Sequence, residues 1–123
     1  MSEWVDAAVV TFGRDLGFPR LALPEHGAIE LTFERRGTLV LERAEGDVLI
    51  YLTRSSDHLD PDRLKRALRA CHWRHGRDPV IRMGIRENRL VCLSRLSERE
   101  VTAAALARTF DQLVSVMDQV ERG

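Results

Sequence analysis

Cysteine is scarce in this chain, with only Cys71 and Cys92 among 123 residues, and two thiols cannot build the disulfide framework of a small secreted protein. Both stand among apolar neighbours, where a small buried thiol is the ordinary outcome. Long hydrophobic runs are missing as well. No apolar stretch approaches the roughly 20 residues that cross a bilayer, and no charged-then-apolar leader opens the chain, so the expected location is the cytosol. Net charge is absent, with nineteen basic against nineteen acidic side chains, so no global field draws the chain to nucleic acid. Lysine is nearly absent too, since eighteen of the nineteen cations are arginine. Gly13, Gly17, Gly27, Gly37, Gly46, Gly76 and Gly84 fall in or beside turns, helix ends and one strand, and none has the spacing of a phosphate-binding loop.

No constellation for catalysis is present. Cys71-His72-x-x-His75 offers three zinc-ligand types at helical spacing, but a fourth ligand would have to come from afar and Gly76 stops the helix. Scattered Cys, His and Asp do not make a triad. The chain is therefore expected to be neither an enzyme nor a metalloprotein, and to need no cofactor.

The most informative stretch is 28–54, where hydrophobic side chains alternate with polar ones in three consecutive strands. Ile29, Leu31 and Phe33 share one face, Leu39 and Leu41 repeat the pattern after Arg36-Gly37, and Val48, Ile50 and Leu52 repeat it after Glu45-Gly46-Asp47. This period of two, with short glycine-bearing connections, implies an antiparallel meander. A meander with one apolar face needs a cover.

The flanking segments supply it. Ser2 is placed to cap a first helix with apolar positions Val5, Ala8, Val9, Phe12 and Leu16, ended by Gly17 and Pro19. Asp60-Pro61 opens a second helix, whose narrow stripe Leu64, Ala67, Leu68 and Cys71 lies among arginines and stops at Gly76. Two further strands follow, 79–86 and 90–96. In the first, Ile81, Met83 and Ile85 alternate, whereas Leu90 to Leu93 is continuously apolar, as expected of a strand covered on both faces. Ser97-Glu98-Arg99-Glu100 has the form of a capping box and predicts a last helix from about Glu98, with Leu106, Phe110, Leu113, Met117 and Val120 as its buried stripe. The expected fold is one α+β domain over 1–123 in the order α-β-β-β-α-β-β-α, with an antiparallel twisted sheet and three helices.

Charge is unevenly spread: residues 61–95 carry ten basic and three acidic side chains, while 1–60 carry six and eleven. The basic helix 61–76, with Trp73 as a stacking platform, keeps a nucleic-acid or regulatory binding module open as an alternative. Trp4 and Trp73 are read as core or interface residues. From the residues alone, the function class is a binding or assembly module.

Several strings together resemble a known family. Phe12-Gly13-Arg14-Asp15-Leu16-Gly17-Phe18-Pro19, Gly37-Thr38-Leu39-Val40-Leu41-Glu42, Tyr51-Leu52-Thr53-Arg54-Ser55, Leu96-Ser97-Glu98-Arg99 and Phe110-Asp111-Gln112-Leu113 are similar to the class I type III secretion chaperones. The resemblance spans nearly the whole chain. It implies a bacterial cytosolic protein, with possible peripheral contact at the inner membrane, that hydrolyses nothing. As partners it implies a second small chaperone subunit, YscB-like, and a secreted YopN-like gatekeeper whose extended N-terminal segment is held ready for export. A homodimeric chaperone for one effector is the alternative. The implied subunit interface is Leu64, Leu68 and Cys71 with Ile81, Met83 and Ile85. Arg66, Arg69 and Arg74 would repel their own copies across it, which favours a different partner chain. The implied substrate groove is Val5, Val9, Phe12, Leu23, Leu31 and Phe33, with Val5 and Leu23 as its more exposed members.

Overall fold

The computed structural model describes residues 3–55, 60–62, 64–66, 69, 81–87 and 89–122. It is an α+β structure built on one five-stranded antiparallel sheet: β1 (Ala28–Phe33), β2 (Gly37–Ala44), β3 (Asp47–Ser55), β4 (Ile81–Arg86) and β5 (Arg89–Ser97). The strand order is β1-β2-β3-β5-β4. The first three strands form the expected meander. The chain then leaves β3, returns as edge strand β4 and turns back as β5 between β4 and β3. Pro61, Asp62, Leu64, Lys65, Arg66 and Arg69 are helical, and Leu64 N–H donates to the Asp60 carbonyl at 3.2 Å, which is the start anticipated at Asp60-Pro61. Leu68, Cys71, His72, Trp73 and His75 lie outside the described residues.

Register fixes which side chains share a face. Opposed pairs Leu31↔Leu39, Leu41↔Ile50, Leu52↔Cys92, Val48↔Leu96 and Met83↔Cys92 all point one way. The N-terminal helix (Glu3–Asp15) and the C-terminal helix (Ala103–Arg122) pack on that side. Val5, Val9 and Phe12 meet Leu106, Phe110, Leu113 and Met117 there in one buried core, with the Phe12 and Phe110 rings edge to face at 6.3 Å. A stripe this wide, at about 1.5 to 3 kcal/mol per buried large apolar side chain, dominates the stability of the fold.

The helix ends are built locally. Gly17 takes φ +92°, a left-handed conformation nearly free of cost only for glycine. It lets Phe18 N–H donate to the Gly13 carbonyl at 2.7 Å and Gly17 N–H to the Arg14 carbonyl at 3.0 Å, so the last helical carbonyls are satisfied. The chain then folds back over Gly13. A Cβ there would stand 2.5 Å from that of Leu21, so only glycine permits the crossing.

Two expectations are corrected. The last α-helix begins at Ala103, not near Glu98. Glu98–Glu100 is a single 3-10 turn, because Val101 dives into the core and Glu98 N–H is taken by the Gly46 carbonyl at 2.9 Å. Ser97 and Glu100 do bond, side chain to side chain at 3.2 Å, but Ser97 caps no backbone amide. The cap is Thr102, whose Oγ1 accepts from Ala105 N–H at 2.9 Å. The second correction concerns β5. Leu90 and Cys92 are buried against the helices, but Val91 and Leu93 are half-buried on the opposite face, over which no helix among the described residues packs.

Candidate partner-binding surfaces

The expected groove residues sit mostly inside the protein. Val5, Val9, Phe12, Leu23 and Leu31 are buried core members, so Val5 (0% exposed) and Leu23 (6%) are not the exposed pair the sequence suggested. The cause is tertiary: the N-terminal helix packs against the C-terminal helix with Val5 in the shared core, and Leu23 joins that core beyond the loop that crosses Gly13. Phe33 alone of the six is half-buried. It stands at the end of β1 with Phe18 edge to face at 6.0 Å and Phe110 at 5.3 Å, and the Arg36 guanidinium lies 6.0 Å from its ring centre.

With Phe33, the residues Leu16, Phe18, Leu21 and Ile29 make up a partly exposed apolar rim of the core, and β1 is an edge strand that pairs only with β2 among the described residues. Edge strands present unpaired backbone donors and acceptors to an added strand. A second apolar surface lies on the outer side of the N-terminal helix, where Trp4, Ala7, Ala8 and Thr11 face Arg99, Val101 and Ala103 across a groove of about 520 Å³. Trp4 is 48% exposed and its indole N–H donates to the Glu98 carbonyl at 2.6 Å, which pins the ring as one wall. Sequence reasoning placed Trp4 in a core or interface. Its offset from the Val5-Ala8-Val9-Phe12 stripe was the signal that it lies at the helix flank.

At the other edge, β4 pairs only with β5 among the described residues. Of the expected interface residues, Ile81 is buried, Met83 and Leu64 are half-buried against the core, and Ile85 is 48% exposed. Beside them, Gly84 leaves an apolar slot of about 250 Å³ between Arg82 and Arg86, floored by Val91 and Leu93. The structure thus brings Met83 and Ile85 together at one edge and Phe33 to the other, about four inter-strand spacings away, or roughly 19 Å.

The chemistry of these surfaces is that of binding. No group of three or more His, Cys, Asp or Glu side chains placed to hold a metal occurs among the described residues, and Cys92 is buried. Tyr51, on the helix-free face, is held above the ordinary phenol pKa of 10.0, first by burial and then by the Glu42 carboxylate, to which its hydroxyl donates at 3.1 Å. No described helix is long and apolar enough to cross a membrane.

A family model described as type III secretory system chaperone SycN matches residues 4–121. Chaperone protein SycN of Yersinia enterocolitica is 30% identical over 120 residues, covering 96% of this chain and 97% of that protein. Its counterpart in Yersinia pseudotuberculosis is 29% identical over the same coverage. Among solved structures, the Yersinia pestis type III secretion chaperone SycH, in complex with a stable fragment of YscM2, superposes with a TM-score of 0.67 at 18% identity, over 95% of this chain and 97% of that one. The ExsC–ExsE complex gives 0.75 at 18% identity, over 98% and 91%. The HopA1–SchA chaperone–effector complex gives 0.77 at 14% identity, over 98% and 94%. At these identities the solved structures establish the fold, and the sequence matches carry the kinship.

Proposed function

We propose a function from one premise, that the chain belongs to the type III secretory system chaperone SycN family: it pairs with a second small, YscB-like chaperone and holds an extended segment of a YopN-like secreted gatekeeper. As a chaperone of that family it is not an enzyme. The observation that carries the finer reading is the pair of sheet edges, each ending in partly exposed apolar side chains. β4 offers Met83 and Ile85, and β1 offers Ile29 and Phe33, which belong to the rim with Leu16, Phe18 and Leu21.

One edge suits a folded subunit and the other an extended peptide. The apolar slot at Gly84, flanked by Arg82 and Arg86, accepts a knob from a partner that also brings carboxylates, and Arg66 and Arg69, exposed on the second helix, add positive charge. That charge favours an acidic partner over an identical copy at this edge. Along β1, strand pairing supplies affinity while contact with the Phe18, Leu21 and Phe33 side chains selects apolar side chains of the segment. Val5, Val9, Phe12 and Leu31 then act from below, by holding this rim in place. The setting is the bacterial cytosol, with delivery of the bound protein to the secretion apparatus.

Co-purification of the chain with its YscB-like partner and the gatekeeper's N-terminal segment tests the assignment. Ile85→Asp should abolish partner pairing, and Phe18→Asp should abolish capture of the segment by the preformed pair, each with an unchanged circular-dichroism spectrum. Full binding by both variants would remove the edge assignment. The homodimeric alternative requires the chain alone to bind the segment.

A further inference from the structure

A strand added along β1 has two faces, and the side chains of β1 treat them differently. On the helix side its neighbours are Ile29, Leu31 and Phe33. On the other side they are Ala28, Glu30 and Thr32, all exposed, with Glu30 at the centre of the row. Register sets Glu30 opposite Val40 and Ala28 opposite Glu42, so the two carboxylates are diagonal neighbours on one face, roughly 7 to 8 Å apart across the strands. Ala28 is too short to screen Glu42 from the edge. These are the only charges that β1 and β2 carry on this face, and Glu30 makes no ion pair among the described residues. Both lie at the opposite margin of the sheet from the slot at Gly84.

We infer that Glu30, backed by Glu42, selects the captured segment by charge: apolar side chains of the segment turn toward the helices, and a side chain between them is arginine or lysine, its cation set against the two carboxylates. This rests on the proposed capture along β1. An uncharged segment would strip water from Glu30 and return nothing, and an acidic one would add repulsion. A guanidinium offsets both, with two carboxylates to receive its fork of donors. Glu42 accepts the Tyr51 hydroxyl at 3.1 Å and keeps further lone pairs for that purpose.

A charge in the middle of an edge strand also guards it against another strand. A guard alone resists every added strand alike. Selection, in contrast, depends on what the added strand carries beside Glu30. A directly opposed pair across strands changes affinity by up to about fivefold, in favour for opposite signs and against for like signs.

Tyr51 is the one tyrosine of the chain and reports on this site. Its phenol is held above 10.0 by burial first, then by Glu42 and least by Glu30, against an opposing pull from Arg86. A guanidinium set beside the two carboxylates works in the same direction as Arg86 and favours the phenolate.

Three probe peptides on a soluble carrier test the inference. Each alternates isoleucine or leucine with threonine, and they differ only at one inner threonine, replaced by arginine, glutamine or glutamate. Titrated into the full chain and into the chaperone pair, the arginine peptide should bind about fivefold tighter than the glutamine peptide and about tenfold or more tighter than the glutamate peptide. Glu30→Gln should erase the preference, and Glu30→Arg should invert it. Glu100→Gln, exposed elsewhere, should leave it intact. By NMR of an isotope-labelled tyrosine ring, Tyr51 should titrate at lower pH in the arginine complex than in the glutamine complex, since arginine stays charged throughout that range. Equal binding of the three peptides, with Phe18→Asp still abolishing it, would overturn charge selection and leave the edge assignment standing. An arginine peptide indifferent to both Glu30→Gln and Phe18→Asp would remove both. An arginine peptide that does not bind, a Glu30→Gln variant that tightens all three peptides alike, or the same Tyr51 titration in the two complexes would each overturn the inference.

Discussion

Arg54 occupies a core-facing position on β3, and three acceptors make that position tolerable: the Arg36 carbonyl at 2.7 Å and the carboxylates of Asp118 at 2.9 Å and Glu121 at 3.2 Å. Its side chain bolts the end of the C-terminal helix to the sheet. Arg54→Met should cost about 1 to 2 kcal/mol by urea denaturation, short of the roughly 3 to 5 kcal/mol of a fully buried broken pair, because both carboxylates reach water once released. Tyr51 gives a pH signature. Burial, then Glu42, raises its pKa above 10.0, so the folded state favours the neutral phenol. That contribution is intact below pH 10 and lost as pH climbs through the raised value. Tyr51→Phe should flatten the alkaline limb of stability measured by denaturant titration. Val5→Asp, in contrast, should unfold the protein outright, since an unpaired carboxylate in this core costs more than about 4 kcal/mol. Trp4→Ala at the neighbouring position should leave the fold standing.

At the level of elements, Thr102→Ala should destabilise by about 1 kcal/mol through loss of the helix cap, and Ser97→Ala by only a few tenths, as surface changes usually do. Thermal unfolding of both variants distinguishes the cap in the structure from the one the sequence advertised. Strand existence, order of elements and the inward faces of β1 to β3 were legible, because alternation and glycine turns are local signals. The stripe from Leu106 to Val120 was legible for the same reason. What periodicity cannot convey is which apolar face receives a cover. Leu90 to Leu93 read as doubly buried, yet the face bearing Val91 and Leu93 carries no described helix. Val5 and Leu23 read as exposed, yet both belong to the core that the N-terminal helix shares with the C-terminal helix. Both misreadings concern contacts between segments distant in sequence. Thr102 was hidden by a stronger local motif five residues earlier.

For the molecule as a whole, the proposed pairing makes a prediction about charge: exchanging Arg66 and Arg69 for Glu should weaken binding to the proposed second chaperone by about tenfold or more in titration calorimetry, while leaving capture of the proposed substrate segment by the preformed pair unchanged. Loss of both together would place the two ligands on one surface. The strand order has a further effect on how the chain is made. β1, β2 and β3 close through short turns and can pair as soon as they leave the ribosome. β3, however, lies in the middle of the finished sheet, and its other side waits for β5, with Asp47 opposite Ser97 fifty positions later. Until then, a nascent chain carries an apolar hairpin stack with an unsatisfied strand, and neither of the later segments that cover it, β5 and the C-terminal helix, has been synthesised. A member of a chaperone family thus itself spends the second half of its synthesis with the kind of surface a chaperone would cover exposed.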